Sequence, residues 1–330
     1  MKIDLVYTWV NCSDPAWIEK RRYNLPNAGL DNQEAFGKAR TSENNELLYS
    51  LRSVEIYAPW INHIFIVTDQ QTPEWLDATN EKITIVDHRD IIPAEVLPMF
   101  NSTAIEQCLH KIEGLSEHFL YANDDTMFGR DLSPDFFFTS AGKIIYRVTH
   151  QKGFYKNLVD NSGIYFTTIL RVNREINGRY GLDCLDWRPA HTIDAYTKSS
   201  ITKCLSEYRE WGEETLKSRF RRKEDMQRYM FSLWAVANGD AVVDVIRMRW
   251  IPYIELFVRT IEDILVFLRL KKGVKSLYIS IADKQIHRTL LLKRPALVCF
   301  NDEEYADDND RVSIQEVMKR IYPKKSSFEK

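Results

Sequence analysis

Cysteine is sparse in this chain and keeps no pattern: Cys12, Cys108, Cys184, Cys204 and Cys299 are odd in number, widely scattered, and form no C-x-x-C pair. That usage argues against a disulfide framework and against a structural zinc site, and it fits a reducing compartment. Charge of one sign is also missing. With 45 Lys and Arg against 47 Asp and Glu, the formal net charge is -2, so the strongly basic face that nucleic acid requires is not expected. The one basic cluster, KSRFRRK at 217–223, is either a solvated helix face or part of a site, and position must decide. No apolar stretch approaches the roughly 20 uncharged residues of a spanning helix. The opening MKIDLVYTWV carries Asp4 inside a strand pattern, where a signal peptide would have its apolar segment. A cytoplasmic protein is the expectation. Phosphate-binding fingerprints are lacking too: neither G-x-x-x-x-G-K-[ST] nor G-x-G-x-x-G occurs, so any bound phosphate is held by other means.

What is present is an ordinary globular composition, 44% hydrophobic and 28% charged over 330 residues, enough for one large domain or two tightly joined ones. IDLVYTWV (3–10), HIFIVTD (63–69), ITIVDH (83–88) and HFLYAND (118–124) are short apolar runs rich in β-branched and aromatic residues, each read as a strand. Helix patterns lie between them. In SENNELLYSLRSVEIYAP, Ser42 is placed to cap, Leu47, Leu48, Leu51, Val54 and Ala58 recur at helical spacing, and Pro59 ends the run. STAIEQCLHKIEG (102–114) reads as a second helix ending at Gly114. Such alternation predicts an α/β fold with a mainly parallel sheet and flanking helices, a Rossmann-like or GT-A-like core. The second half reads as more helical. Met226, Tyr229, Met230, Leu233, Trp234 and Ala237 form a packing stripe, and YIELFVRTIEDILVFLRLKK (253–272) reads as a buried helix with a basic end. A membrane-surface helix is the alternative for that segment.

The acids gather at strand ends. Asn123, Asp124 and Asp125 close one strand, Asp69 another, and Asn11 with the loop CSDP (12–15) follows the first. Open α/β sheets bind ligands outside the carboxyl ends of their strands, although Asp and Asn also favour turns for purely local reasons. Adjacent carboxylates at such a mouth suit a hard divalent cation, Mg2+ or Mn2+, that would neutralise a diphosphate. Arg40, Arg52, Arg219, Arg221 and Arg222 are the available cations for phosphate oxygens.

In their order along the chain, these motifs resemble those of the Stealth family of sugar-phosphate transferases. IDLVYTWVNCSDPAW (3–17) is similar to the family's opening motif, which commonly has Asp-Gly where this chain has Asn11 and Cys12; Asp14 remains as the acid of the motif. A second region resembles residues 40–76 and 97–129, a third RPAHTIDAY (188–196) with FRRKEDMQ (220–227), and a fourth CFNDEE (299–304). The resemblance implies transfer of a hexose or N-acetylhexosamine 1-phosphate from a UDP-sugar, UDP-N-acetylglucosamine favoured, to an acceptor hydroxyl, with UMP released. The acceptor it implies is a growing polysaccharide or a lipid-linked oligosaccharide, the latter bringing the protein to the inner face of the cell membrane.

The resemblance also implies roles. His191 would be the base, its unperturbed pKa lying nearest neutrality, and Arg221 would face the attacked phosphate, with Asp124 completing the catalytic set. Asp124, Asp125, Asn301 and Asp302 would hold metal and diphosphate. Asp14, Arg40, Asn44, Asn45, Arg52, Asn101, Asn123, Glu224 and Asp225 would contact substrate. On this reading the chain is a single catalytic domain: a nucleotide-sugar core over 1–130, a mostly helical acceptor and active-site part over 131–296, and a C-terminal motif over 297–330 that completes the site. Two rivals stand beside it. One is a metal-dependent glycosyltransferase that releases UDP, and the other a catalytically silent sugar-binding subunit.

Overall fold

Strand β1 (Ile3–Thr8) has no residue that faces bulk water along most of its length, which is the pattern of a strand covered on both faces. Its side chains alternate between two cores. Ile3, Leu5 and Tyr7 join Ile64, Ile66, Leu120 and Ala122 on one side, while Val6 joins Phe65, Val67, Phe119 and Tyr121 on the other. Asp4, fully buried within the strand, accepts hydrogen bonds from Asn62 Nδ2 at 2.7 Å and the Ser116 backbone at 2.6 Å, so its burial is compensated.

The computed structural model describes residues 1–25, 42–150, 153, 163–247, 264–269 and 271–330. The main sheet runs β3-β2-β1-β4-β8, with β2 (Ile64–Thr68), β3 (Ile83–Asp87), β4 (His118–Asn123) and β8 (Asp194–Thr197). The first four strands are parallel and β8 is antiparallel to β4. The expected mainly parallel α/β sheet is therefore present, each expected strand within a residue or two of its observed bounds. The helix Glu46–Tyr57 packs Leu47, Leu51 and Val54 onto the β1 face and stops before Pro59. Ser42 is not its cap: Asn45 holds that position in the left-handed region, φ 60°, with no side-chain capping bond. The second expected helix is α-helical only over Ser102–Cys108, continues as a 3-10 turn to Lys111, and meets Gly114 at φ 76°.

Beyond residue 125 the chain holds more strand than the helical reading of its second half suggested. β6 (Ile144–His150), β7 (Trp187–Pro189) and β9 (Ala241–Arg247) make a three-stranded sheet in the order β7-β6-β9. β5 (Thr126–Phe128), β10 (Ser276–Ser280) and β11 (Leu297–Asn301) make another, ordered β10-β11-β5. The helix Tyr229–Ala237 is buried almost all round, as a packing element. Most of the 253–272 candidate lies outside the described residues. In its described end Val266 is buried but Ile264, Phe267 and Leu268 are exposed, so that end is not a buried helix. No described helix is long and apolar enough to cross a membrane.

Candidate active site

Parallel pairing sets the carboxyl ends of β1, β2 and β4 side by side: Thr8 is in register with Val67 on one flank and Asn123 on the other. Immediately after Asn123 the chain turns through Asp124 and Asp125 into β5, which leaves the main sheet and pairs antiparallel with β11, Cys299 opposite Thr126. The two adjacent carboxylates therefore occupy a corner between two sheets. The Phe300 backbone N–H donates to the Asp125 carbonyl at 3.0 Å, which pins the end of β11, and with it Asn301 and Asp302, against that corner.

Two cavities meet here. One is lined by Trp9, Trp17, Glu43, Glu46, Phe100 and Asp124, among others. The other is lined by Glu106, Tyr165, Arg188, His191, Arg228 and Tyr278, among others. Ser102, Asn123, Asp125, Arg221, Asn301 and Asp302 line both.

The first lobe has an acidic floor. Burial, then the charges of Asp124 and Glu46, push the Glu43 carboxyl up to about 8, while a hydrogen bond from Trp9 Nε1 at 3.2 Å opposes the shift. Burial and then the charge of Asp124 raise Glu46, whose oxygens accept from the Asn44 backbone and Nδ2, each at 2.7 Å. Burial and then the charge of Asp125 raise Asp124 well above the usual carboxylate range. Carboxylates that each suffer from the next are poorly satisfied as they stand. Oxygen donors of this kind suit a hard divalent cation, which would hold them ionised; the adjacent Asp124 and Asp125 are the residues that would hold it, while no three of Glu43, Glu46, Asp124 and Asp125 bring their oxygens within 4.8 Å of one another.

The second lobe carries the imidazole. His191 sits in the loop between β7 and β8, its ring edge-on to Tyr278 at 5.5 Å and to Tyr165 at 6.4 Å between centroids. Arg221 hydrogen-bonds the Ser102 hydroxyl at the start of the helix Ser102–Cys108. Beneath this lobe Arg228 is buried between Glu106 Oε1 at 3.1 Å and Asp194 Oδ2 at 3.3 Å, over the rings of Tyr121 and Tyr229. The Tyr121 hydroxyl lies 2.9 Å from Asn123 Oδ1 and 3.1 Å from Glu106 Oε1, so the buried ion cluster also fixes the residue before the acidic corner.

The structure thus brings Asn123, Asp124, Asp125, His191, Arg221, Asn301 and Asp302 to one double cavity. Asp302 enters as half of an ion pair, both oxygens bonded at 2.8 Å by the Arg311 fork. The other expected substrate contacts have these partners within the chain. Asp14 caps the helix Pro15–Asn24 and accepts from Gln71. Asn44 donates to Glu46 at 2.7 Å and to the cavity residue Asp302 at 3.4 Å, and Asn45 is the helix cap already described. Arg52 forks onto Glu329 at 2.8 and 2.7 Å. Asn101 caps Ser102–Cys108 and donates to the buried Asp225 at 2.8 Å, which also accepts from the Arg222 backbone. The Glu224 side chain is exposed, and its carbonyl accepts from Trp211. Arg219 bonds Asn24 and the Leu97 carbonyl, and Asp69 pairs with Lys20 at 2.9 Å. Arg40 lies outside the described residues. Sequence reasoning missed Glu43 and Glu46, although both stand in the SENNE stretch; reading Ser42 as a cap drew attention from them. It also missed Arg228, an arginine set within an otherwise packing stripe.

Two family profiles match the chain: Stealth protein conserved region 1 over residues 1–29, and conserved region 2 over residues 40–146. The capsular polysaccharide phosphotransferase cps1A of Actinobacillus pleuropneumoniae is 50% identical over 142 residues, covering 42% of this chain and 39% of that protein. Capsular polysaccharide phosphotransferase fcs1 of Haemophilus influenzae is 39% identical over 239 residues, covering 69% of this chain and 63% of that protein. LcbA of Neisseria meningitidis, named in the same way, is 37% identical over 234 residues, covering 70% and 63%. The chain therefore spans less than two thirds of the length of these relatives. Among solved structures, a complex of the galactosyltransferase LgtC with donor and acceptor sugar analogues aligns at TM-score 0.43 and 11% identity, covering 97% of this chain and 95% of that one.

Proposed function

The chain carries the first two conserved regions of the Stealth family, and from that premise we propose that it transfers a sugar 1-phosphate from a UDP-sugar to a hydroxyl of a polysaccharide acceptor, releasing UMP. The observation that carries the reading is the double cavity whose shared wall holds Asp125 and Arg221, with carboxylates on one side and an imidazole on the other. The names of the relatives, all phosphotransferases of capsular polysaccharide, support the reaction class.

The donor diphosphate takes the acid-floored lobe, with Trp9, Trp17 and Phe100 offering surfaces for a base. Asp124 and Asp125 would hold Mg2+ or Mn2+, which when bound would supply charge neutralisation of the diphosphate, with Glu43 and Glu46 deepening the negative field around it. The acceptor takes the lobe of His191, Tyr165 and Tyr278. His191 accepts the proton of the acceptor hydroxyl as its oxygen attacks the phosphorus that bears the sugar, and the phosphorus–oxygen bond to UMP breaks. Arg221, at the junction, balances charge on the attacked phosphate, a task that suits a guanidinium fork. The sugar keeps its bond to oxygen, so the donor's anomeric configuration is retained. UDP-N-acetylglucosamine is the favoured donor, and a growing or lipid-linked glycan the acceptor. The test is the nucleotide released when UDP-sugar and acceptor are supplied together. UMP in step with product supports the reading; UDP returns the protein to the glycosyltransferases, and neither nucleotide marks a silent binding subunit.

A further inference from the structure

We propose that Asp125, His191 and Cys299 form a three-ligand site for a thiophilic divalent cation, zinc above all, and that its occupancy switches the transferase off. One ligand atom from each residue lies within 4.8 Å of the others. Cys299 Sγ is 3.3 Å from Asp125 Oδ2, and both residues are fixed by backbone pairing, Cys299 opposite Thr126 in the β5–β11 ladder and Phe300 N–H on the Asp125 carbonyl. The His191 ring is held between Tyr165 and Tyr278. Two of the three ligands therefore sit on a rigid sheet corner, and the third turns on its side-chain torsions to close the set. Tetrahedral zinc, with bonds of roughly 2.0 to 2.3 Å, needs ligand atoms about 3.3 to 3.7 Å apart. Modest side-chain rotation supplies that.

Asp125 borders both this site and the acid floor, and donor chemistry distinguishes the two. Glu43, Glu46 and Asp124 offer oxygen alone and suit a hard cation, whereas one sulfur, one imidazole nitrogen and one carboxylate oxygen select zinc over magnesium. Cys299 is fully buried, so the ion enters from the cavity side, where Asp125 and His191 are wall residues. On binding, the Cys299 S–H bond breaks, its proton leaves to solvent, and a zinc–sulfur bond forms with no change of oxidation state. A water fills the fourth position toward the cavity. The consequence rests on the function proposed above: an imidazole whose lone pair is on a metal cannot accept the acceptor's proton.

The experiment titrates the purified, metal-free chain with Co2+ alone and records its absorption, then adds Zn2+, and separately assays UMP release in Mg2+ or Mn2+ with rising Zn2+. Wild type gives a thiolate-to-cobalt charge-transfer band with the visible bands of tetrahedral cobalt, zinc erases them, and zinc inhibits turnover until a chelator removes it. Cys299→Ser loses the charge-transfer band and needs at least about tenfold more zinc for half-inhibition. If that variant fails to fold, His191→Gln carries the test and must bind cobalt at least about tenfold more weakly. A folded wild type without the charge-transfer band, or zinc inhibition unchanged in folded Cys299→Ser, overturns the site. The band present with turnover indifferent to zinc overturns the switch. Absence of UMP release under every metal condition is the failure of the functional reading instead, and the cobalt spectrum still decides the site.

Discussion

Glu43→Gln changes one atom type in the acid floor, and its effect follows from the carboxyl's elevated pKa. In the folded chain burial and two neighbouring carboxylates raise Glu43 from 4.5 to about 8. A raised acid stabilises the fold fully below its unfolded pKa, and that stability is lost as pH climbs through the folded value. The window is therefore pH 4.5 to 8. At about 1.36 kcal/mol per tenfold change in proton affinity, the rise from 4.5 to about 8 is worth at most about 5 kcal/mol. Water reaching the half-buried carboxyl lowers that figure, and about 1 to 3 kcal/mol is expected. Glutamine keeps an acceptor for Trp9 Nε1 and cannot ionise. In metal-free buffer wild-type Tm should fall between pH 5 and pH 8.5, and Glu43→Gln should fall less, melting a few degrees higher at the alkaline end. Mg2+ or Mn2+ should raise the wild-type Tm most at alkaline pH and help the variant less. Parallel pH profiles for the two proteins, by scanning calorimetry in EDTA, would refute the reasoning.

His191→Ala and Arg221→Ala should each lower turnover by about 10²- to 10⁴-fold with melting curves close to wild type, and near wild-type turnover in either variant would remove it from the mechanism. Turnover should require Mg2+ or Mn2+ and stop in EDTA, and Asp124→Asn should raise the metal concentration for half-activity at least about tenfold; full activity in EDTA would shift the phosphate charge onto arginine. Arg52→Ala should cost about 2 kcal/mol in chemical denaturation, because it leaves the Glu329 carboxylate that fastens the C-terminal tail without its cation and with only Ser326 as partner; Arg52→Met with Glu329→Leu should recover much of that.

The parallel sheet was legible because its signal is local. β1, β2 and β4 are short β-branched runs with both faces apolar, and the polar groups that end them mark the rim. The N-D-D corner was legible for the same reason, as was its pairing with CFNDEE once the motifs were compared with a family. What stayed hidden depends on tertiary placement. Nothing local says that Glu43 and Glu46 turn inward beside Asp124, that Arg52 reaches Glu329 across 277 positions, or that Asn101 donates to Asp225. β7 and β9 escaped notice because their pairing with β6 bridges separations that periodicity cannot see. Asp14, Asn45 and Asn101, expected as substrate contacts, also hold helix N-cap positions, a local backbone role that Asp and Asn commonly take.

The central claim is that phosphorus, not the anomeric carbon, is attacked. It is tested most directly by a UDP-sugar carrying isotopic phosphorus in the phosphate next to the sugar. The account predicts that the label enters the acceptor with the sugar, as a diester coupled to the anomeric proton in the phosphorus spectrum, and that the released UMP is unlabelled. Label leaving as UDP, with a product free of phosphorus, would contradict it.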